Sequence, residues 1–295
     1  MTEDPPLLGM GPHEPTVEEI AHEGALDHVL DAISRSRWGE HLVLRGSALM
    51  RAWYGQDARM PHDLDFIVDS EVWRDDEFQT DEIFEDLFLD VEYAPRTDLM
   101  DGLRFVPSRV ERSSIHAYGM RETMVRDRPD DRWGFRLTLP WHCGGVSGQV
   151  QVDFAFDEKL HVPPCRTAVP RPSGDAPLLL KAATPEQSLC WKLHWLWLDS
   201  RPLAKDLYDV WLLRNVRPSP SLLDKTTGLD DAASIIGTRW LHAELARWDG
   251  LDWKGFRAEH PMVRGTARDY LKAVKDDLVR PLFDREAPAP PARPA

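Results

Sequence analysis

Cysteine is scarce in this chain. Three cysteines in 295 residues (Cys143, Cys165 and Cys190) cannot build a disulfide framework, and no CxxC or HExxH spacing occurs, so a structural zinc site is not expected. Positive charge is short as well. The 36 Lys and Arg face 50 Asp and Glu, for a formal net charge of −14. Unfocused binding to DNA or RNA runs on excess Lys and Arg, so this balance excludes a general polyanion binder and leaves room only for a local basic groove. Long apolar runs are also missing. The most apolar helical stretch, Leu189 to Leu198, is about half a membrane span and contains Lys192 and His194. The N-terminus, MTEDPPLLGMGPHEP, has neither a basic leader nor an apolar core. No secretion signal or membrane attachment is therefore expected, and the expected location is the cytoplasm.

What is present is an ordinary folding mixture, 42 % hydrophobic and 29 % charged, which excludes a wholly disordered chain and a coiled-coil rod. The length fits one large domain or two ordinary ones. Proline-rich ends predict a flexible N-terminus over 1–16 and a disordered tail over 286–295. Thr16 and Glu19 have the spacing of a capping box, which predicts a helix to about Ser36. His41 to Arg45 reads as a strand, Gly46-Ser47 opens a helix stopped by Gly55, and Asp63 to Val68 reads as the next strand. Residues 71–92 hold ten carboxylates and one Arg among Phe84, Leu87, Phe88 and Leu89, the pattern of an amphipathic helix with an acidic face. Arg104 to Val106, Val110 to Tyr118, Trp133 to Leu139 and Gln149 to Phe156 read as strands, with a turn over 144–148. From Thr184 the pattern turns helical: Pro185 to Ser200, Leu203 to Asn215, Asp230 to Trp248 and Thr266 to Asp284. Residues 163–180, with five Pro, read as the boundary. Strands first and helices later predict an α+β fold, with a catalytic domain over 17–180 and a C-terminal helical domain over 181–285.

Four features carry chemistry. Gly46-Ser47 lies between a strand and a helix, where Gly permits close backbone approach, Ser can cap the helix, and free N–H groups attract phosphate. Asp63 and Asp65 alternate on a strand, so both point to one face, about 6–7 Å apart along the backbone. Their mutual repulsion is relieved by a divalent cation. Asp153 lies on the polar face of a strand whose other face is Val150, Val152, Phe154 and Phe156. If that strand lies beside Asp63 and Asp65, three carboxylates converge and can hold two Mg²⁺ for phosphoryl transfer. Lys192 interrupts an apolar helix, and Asp206 and Asp209 follow on one helical face. Each feature alone has an ordinary reading: a helix that begins with Gly-Ser, a polar strand end, a solvent-facing carboxylate, a snorkelling Lys.

In combination they resemble a known family. Gly46-Ser47, Asp63-x-Asp65 and Asp153 occur in the order found in polymerase-β-like nucleotidyltransferases. Leu42-Val43-Leu44-Arg45-Gly46-Ser47-Ala48-Leu49, Tyr54-Gly55, Arg59 and Asp63-Leu64-Asp65-Phe66 resemble the opening motif of the AbiEii/AbiGii toxins of type IV toxin–antitoxin and abortive-infection systems. Pro185 through Lys192, and Lys205-Asp206-Leu207-Tyr208-Asp209, resemble that family's later helices. The likeness spans roughly residues 20–215. It departs at Pro61-His62, where Ser or Thr followed by a polar residue is usual, and at Lys205, where Arg is usual.

The resemblance implies a mixed sheet with flanking helices, and NMP transfer from an NTP to an acceptor hydroxyl, the tRNA 3′ end in some members. It implies Mg²⁺ or Mn²⁺ on Asp63, Asp65 and Asp153, with Asp153 as third ligand or as base. Gly46, Ser47, Arg59, Lys192, Lys205 and Asp206 would hold the nucleotide, with Lys192 on the triphosphate and Asp206 or Asp209 positioning it. A cognate antitoxin and an RNA acceptor are the implied partners. Two other readings stay open: a small hydroxyl compound as acceptor, which the acidic balance favours, and a catalytically inactive binding module, which three retained carboxylates oppose.

Overall fold

The computed structural model describes residues 8–68, 77–94, 102–106, 111–116, 132–156, 158–198, 202–232, 235–237 and 251–284. The elements in chain order begin with β1 (Gly9–Met10), α1 (Val17–Arg35), β2 (Leu42–Arg45), α2 (Ser47–Tyr54) and β3 (Asp63–Val68). Next come α3 (Glu77–Tyr93), β4 (Arg104–Phe105), β5 (Glu111–His116), β6 (Arg132–Cys143) and β7 (Val146–Ala155). Then follow β8 (Cys165–Val169), β9 (Leu178–Ala182), α4 (Pro185–Leu198), α5 (Ala204–Leu212) and α6 (Pro220–Thr227). The last are α7 (Trp253–Glu259), β10 (Val263–Arg264), α8 (Ala267–Val274) and α9 (Arg280–Asp284), with a π-helical turn, Lys275–Val279, joining α8 to α9. The chain divides into two compact units, His13–Thr184 and Met1–Pro12 with Pro185–Ala295.

The first unit is built on an eight-stranded mixed sheet of order β4-β6-β7-β3-β2-β9-β8, with β5 also on β6. β3 runs parallel to β7, and β2 parallel to β9; the other pairs are antiparallel. Alternation along the central strands sorts the faces. Leu64, Phe66, Val150, Val152 and Phe154 are buried on one face, which α1 covers with Ala25, Leu26, Val29 and Ile33. α3 adds Ile83, Phe84, Leu87 and Val91, with the Phe84 and Phe154 rings 5.3 Å apart. The opposite face of β3 and β7 carries Asp63, Asp65, Gln151 and Asp153. α1 starts at the expected capping box: the Thr16 hydroxyl accepts from the Glu19 N–H, and the Glu19 carboxylate accepts from the Thr16 N–H.

Three expectations are corrected. Residues 163–180, read as the boundary, lie inside the sheet unit, which runs to Thr184. Prolines at 164 and 170 bracket β8 without entering it, and β8 pairs with β9 to form the sheet edge, which continues to Ala182. The N-terminus is not all flexible, because Gly9 and Met10 pair with Arg264 and Val263. The Gly9 N–H donates to the buried Tyr270 hydroxyl at 2.9 Å, and that hydroxyl donates to the Arg264 carbonyl at 2.8 Å. Burial raises the Tyr270 phenol to about 12. Finally, the helix expected over 266–284 is interrupted by the π turn. The start of the acidic segment at 71–76, most of the expected helix at 230–248, and the tail at 286–295 lie outside the described residues.

The second unit buries aromatic rings around Tyr208 and Tyr270. Tyr208 packs on Trp211 and Phe256 at centroid distances of 5.5 and 5.7 Å, and Trp253 packs on Tyr270 at 4.9 Å. Trp211 and Trp253, two of the chain's twelve tryptophans, belong to this cluster. Among the described residues, no helix is long and apolar enough to cross a membrane.

Candidate active site

The site of the sheet unit begins where β2 meets α2. Gly46 sits between them with φ +76° and ψ −150°, a conformation that costs an L side chain about 1–3 kcal/mol. A Cβ there would also lie 2.1 Å from Asp65 Oδ2, so both backbone and neighbour demand glycine. Ser47 is the first residue of α2 and not its cap, which corrects the capping role expected from sequence. Its buried hydroxyl instead donates to Asp63 Oδ1 at 3.3 Å. Glycine as the cap brings no capping side chain of its own, and a helix N-terminus favours anions.

Register assembles the rest. On one face of four neighbouring strands, Arg45 of β2 lies opposite Asp65 of β3, Asp65 opposite Asp153 of β7, and Asp153 opposite Arg136 of β6. The sheet thus carries a row of positive, negative, negative and positive side chains, with Asp63 two residues from Asp65. Ligand atoms of Asp63, Asp65 and Asp153 all lie within 4.8 Å of one another, and all three residues are partly buried. They form a cluster able to bind a metal ion. An all-carboxylate donor set suits hard divalent cations such as Mg²⁺ or Mn²⁺ better than zinc or copper.

The arginines have separate partners. Arg136 grips Asp153 through a fork, Nε to Oδ1 and Nη2 to Oδ2, each at 2.6 Å. These bonds, with the charges of Asp153, Asp63 and Asp65, outweigh burial and hold the Arg136 guanidinium above its ordinary pKa. Arg45 donates to Glu158. Burial opposes its charge, but Glu158, Asp65, Asp153 and Asp63 together keep it protonated. Beside Asp63, His22 lies 6.1 Å from the His62 ring and 6.3 Å from the Trp141 ring. Burial, then the neighbouring His62, lower its pKa below 6.5, so it is neutral at pH 7. Arg59 is buried in this unit.

The remaining expected residues belong to the helical unit. Lys192 of α4 donates to Asp206 at 2.9 Å and pairs with Asp209 of the same helix, α5, at 2.8 Å. The side chains of Lys192, Asp206 and Asp209 are 7 %, 5 % and 0 % exposed, so this is a closed ion triad. The i,i+3 spacing of the two Asp residues is what brings both to one ammonium. Lys205 sits on the exposed side of α5. Arg136, Glu158 and His22 were not among the expected site residues.

Residues 28–234 match the family described as nucleotidyl transferase AbiEii toxin, type IV TA system. The chain belongs to this AbiEii family. It is therefore a nucleotidyltransferase of the toxin type. Among solved structures, the AbiEii chain is similar to MenT4, a nucleotidyltransferase toxin from Mycobacterium tuberculosis, at 16 % identity and TM-score 0.55, over 92 % of this chain and 87 % of that one. It is similar to JHP933 from Helicobacter pylori at 11 % identity and TM-score 0.56, over 92 % and 94 %. At such identities these likenesses speak for the fold alone. A search of curated proteins gave no match.

Proposed function

We propose that this AbiEii protein transfers an NMP from an NTP to a terminal hydroxyl of RNA, the tRNA 3′ end being the favoured acceptor. The observation that carries the reading is the convergence of Asp63, Asp65 and Asp153 within 4.8 Å beside the N-terminus of α2. Asp63 and Asp65 would hold a divalent cation, Mg²⁺ or Mn²⁺, with Asp153 as third ligand or as base for the acceptor hydroxyl. When bound there, such an ion supplies charge neutralisation and Lewis acidity at phosphoryl oxygens. Ser47 holds Asp63 in place, so phosphate contact falls to the α2 backbone N–H groups rather than to its hydroxyl. Arg59 contributes positive charge on the sheet unit. On the helical unit, Lys192 is retained as a triphosphate ligand with its ammonium held by Asp206 and Asp209, and Lys205 as an accessory cation. A cognate antitoxin and a cytoplasmic setting belong to this reading, the first supported by the family's type IV toxin–antitoxin character.

The acidic balance of −14 sharpens the acceptor question. RNA contact should be local, with few phosphate contacts and a shallow salt slope. Entry by the 3′ end brings a free hydroxyl in line with the α-phosphate. The test is transfer from α-labelled NTPs to purified tRNA, with and without periodate oxidation of the terminal diol. Label on intact tRNA that vanishes after oxidation is expected. Label that persists excludes the 3′ end, and label found only on added small hydroxyl compounds replaces RNA with a small-molecule acceptor.

A further inference from the structure

The carboxylate row carries more charge control than metal ligation requires. Asp63, Asp65, Asp153 and Glu158 contribute four negative charges, and Arg45 and Arg136 return two positive ones. The Arg136 contact stands out because both Asp153 oxygens are engaged, each at 2.6 Å, by a side chain on the neighbouring strand. A carboxylate oxygen has a limited set of lone pairs, so a fork on both oxygens leaves a cation only the remaining ones. The guanidinium charge beside them also repels that cation. Asp63, by contrast, is engaged by the neutral Ser47 hydroxyl at 3.3 Å.

We propose that Arg136 is a positioning residue that holds Asp153 in reserve, in competition with the divalent cation. In the nucleotide-free protein it weakens cation binding at the row. It yields Asp153 when triphosphate adds negative charge and offers the guanidinium another anion. This inference rests on the reading of Asp63, Asp65 and Asp153 as the catalytic row.

The experiment is a Mn²⁺ titration of the full nucleotide-free chain, followed by electron paramagnetic resonance and calorimetry, with thermal melting of each variant. Arg136→Gln should bind Mn²⁺ at least roughly tenfold more tightly than wild type, because one positive charge beside the ion is gone. Arg136→Lys keeps the charge and loses the fork, and should fall between the two. In transfer assays Arg136→Gln should raise KM for NTP more than it lowers kcat. Unchanged or weaker Mn²⁺ binding in both Arg136 variants overturns the proposal while leaving the catalytic reading intact, provided Asp63→Asn has lost Mn²⁺ binding. Wild-type Mn²⁺ binding by Asp63→Asn overturns both. If Arg136→Gln does not fold, Arg136→Lys alone decides by the sign of its change.

Discussion

Asp209 and Asp153 are both carboxylates held by a cation, yet their surroundings differ. Asp209 is fully buried and shares Lys192 with Asp206, whose side chain is 5 % exposed. Asp153 is 13 % exposed and its partner Arg136 is 34 % exposed, at the centre of a sheet face that also carries Asp63 and Asp65. Both clusters carry more negative than positive charge. In the helical unit the triad is sealed, so removing Lys192 takes from two carboxylates in a low-dielectric interior the cation they share. In the sheet unit the groups can exchange partners with a cation or a phosphate. Burial therefore separates a charge cluster whose ammonium is fixed in place from one that is partly open to solvent.

The largest effect on stability is expected where the cluster is closed. Lys192→Met should destabilise the protein by about 3–5 kcal/mol, the scale of removing one partner from a buried ion pair. Chemical denaturation measures this, and NTP against NMP binding on the folded fraction measures the phosphate role. A stable Lys192→Met protein would break the comparison, because the triad would then contribute little to the fold. Gly46→Ala comes next. Backbone strain costs about 1–3 kcal/mol, and displacement of Asp65 should cut transfer activity by more than the lost stability explains. An active, normally stable Gly46→Ala protein would show that the close approach of Asp65 is dispensable.

The smallest effect concerns pH. The folded pKa of His22 is lowered by burial and by His62, so between that pKa and 6.5 the unfolded chain binds more protons than the folded one. Its contribution to stability is present above pH 6.5 and is lost as the pH falls. Thermal melts of wild type should therefore weaken on acidification, and His22→Asn should weaken less over the same range. Parallel pH profiles would remove His22 from the account.

Much of this was legible in sequence. The carboxylates at 63, 65 and 153 were readable because strand alternation assigns them a face, and Gly46 because only a hydrogen side chain allows that approach. The i,i+3 spacing of Asp206 and Asp209 also foretold a shared face. The partner of Asp153 was hidden by the turn. With the turn spread over 144–148, β6 had no register, whereas the two-residue Gly144-Gly145 turn pairs Cys143 with Val146 and, seven residues out on each strand, Arg136 with Asp153. The β8 and β9 edge was missed because prolines that bracket a strand look like prolines that fill a linker. His22 offered no local signal, since only tertiary packing of α1 brings it near Asp63.

The most direct test of the central claim, that the row on β3 and β7 is the catalytic centre, measures transfer and stability on the same preparations. Wild type, Asp65→Asn and Asp153→Asn would be incubated with α-labelled NTPs and total RNA, with and without chelator, and then melted. The account predicts metal-dependent labelling by wild type, a loss of at least roughly a thousandfold in Asp65→Asn, equivalent to about 4 kcal/mol of transition-state stabilisation, and an unchanged or higher melting temperature. Labelling by Asp65→Asn at the wild-type rate would contradict it.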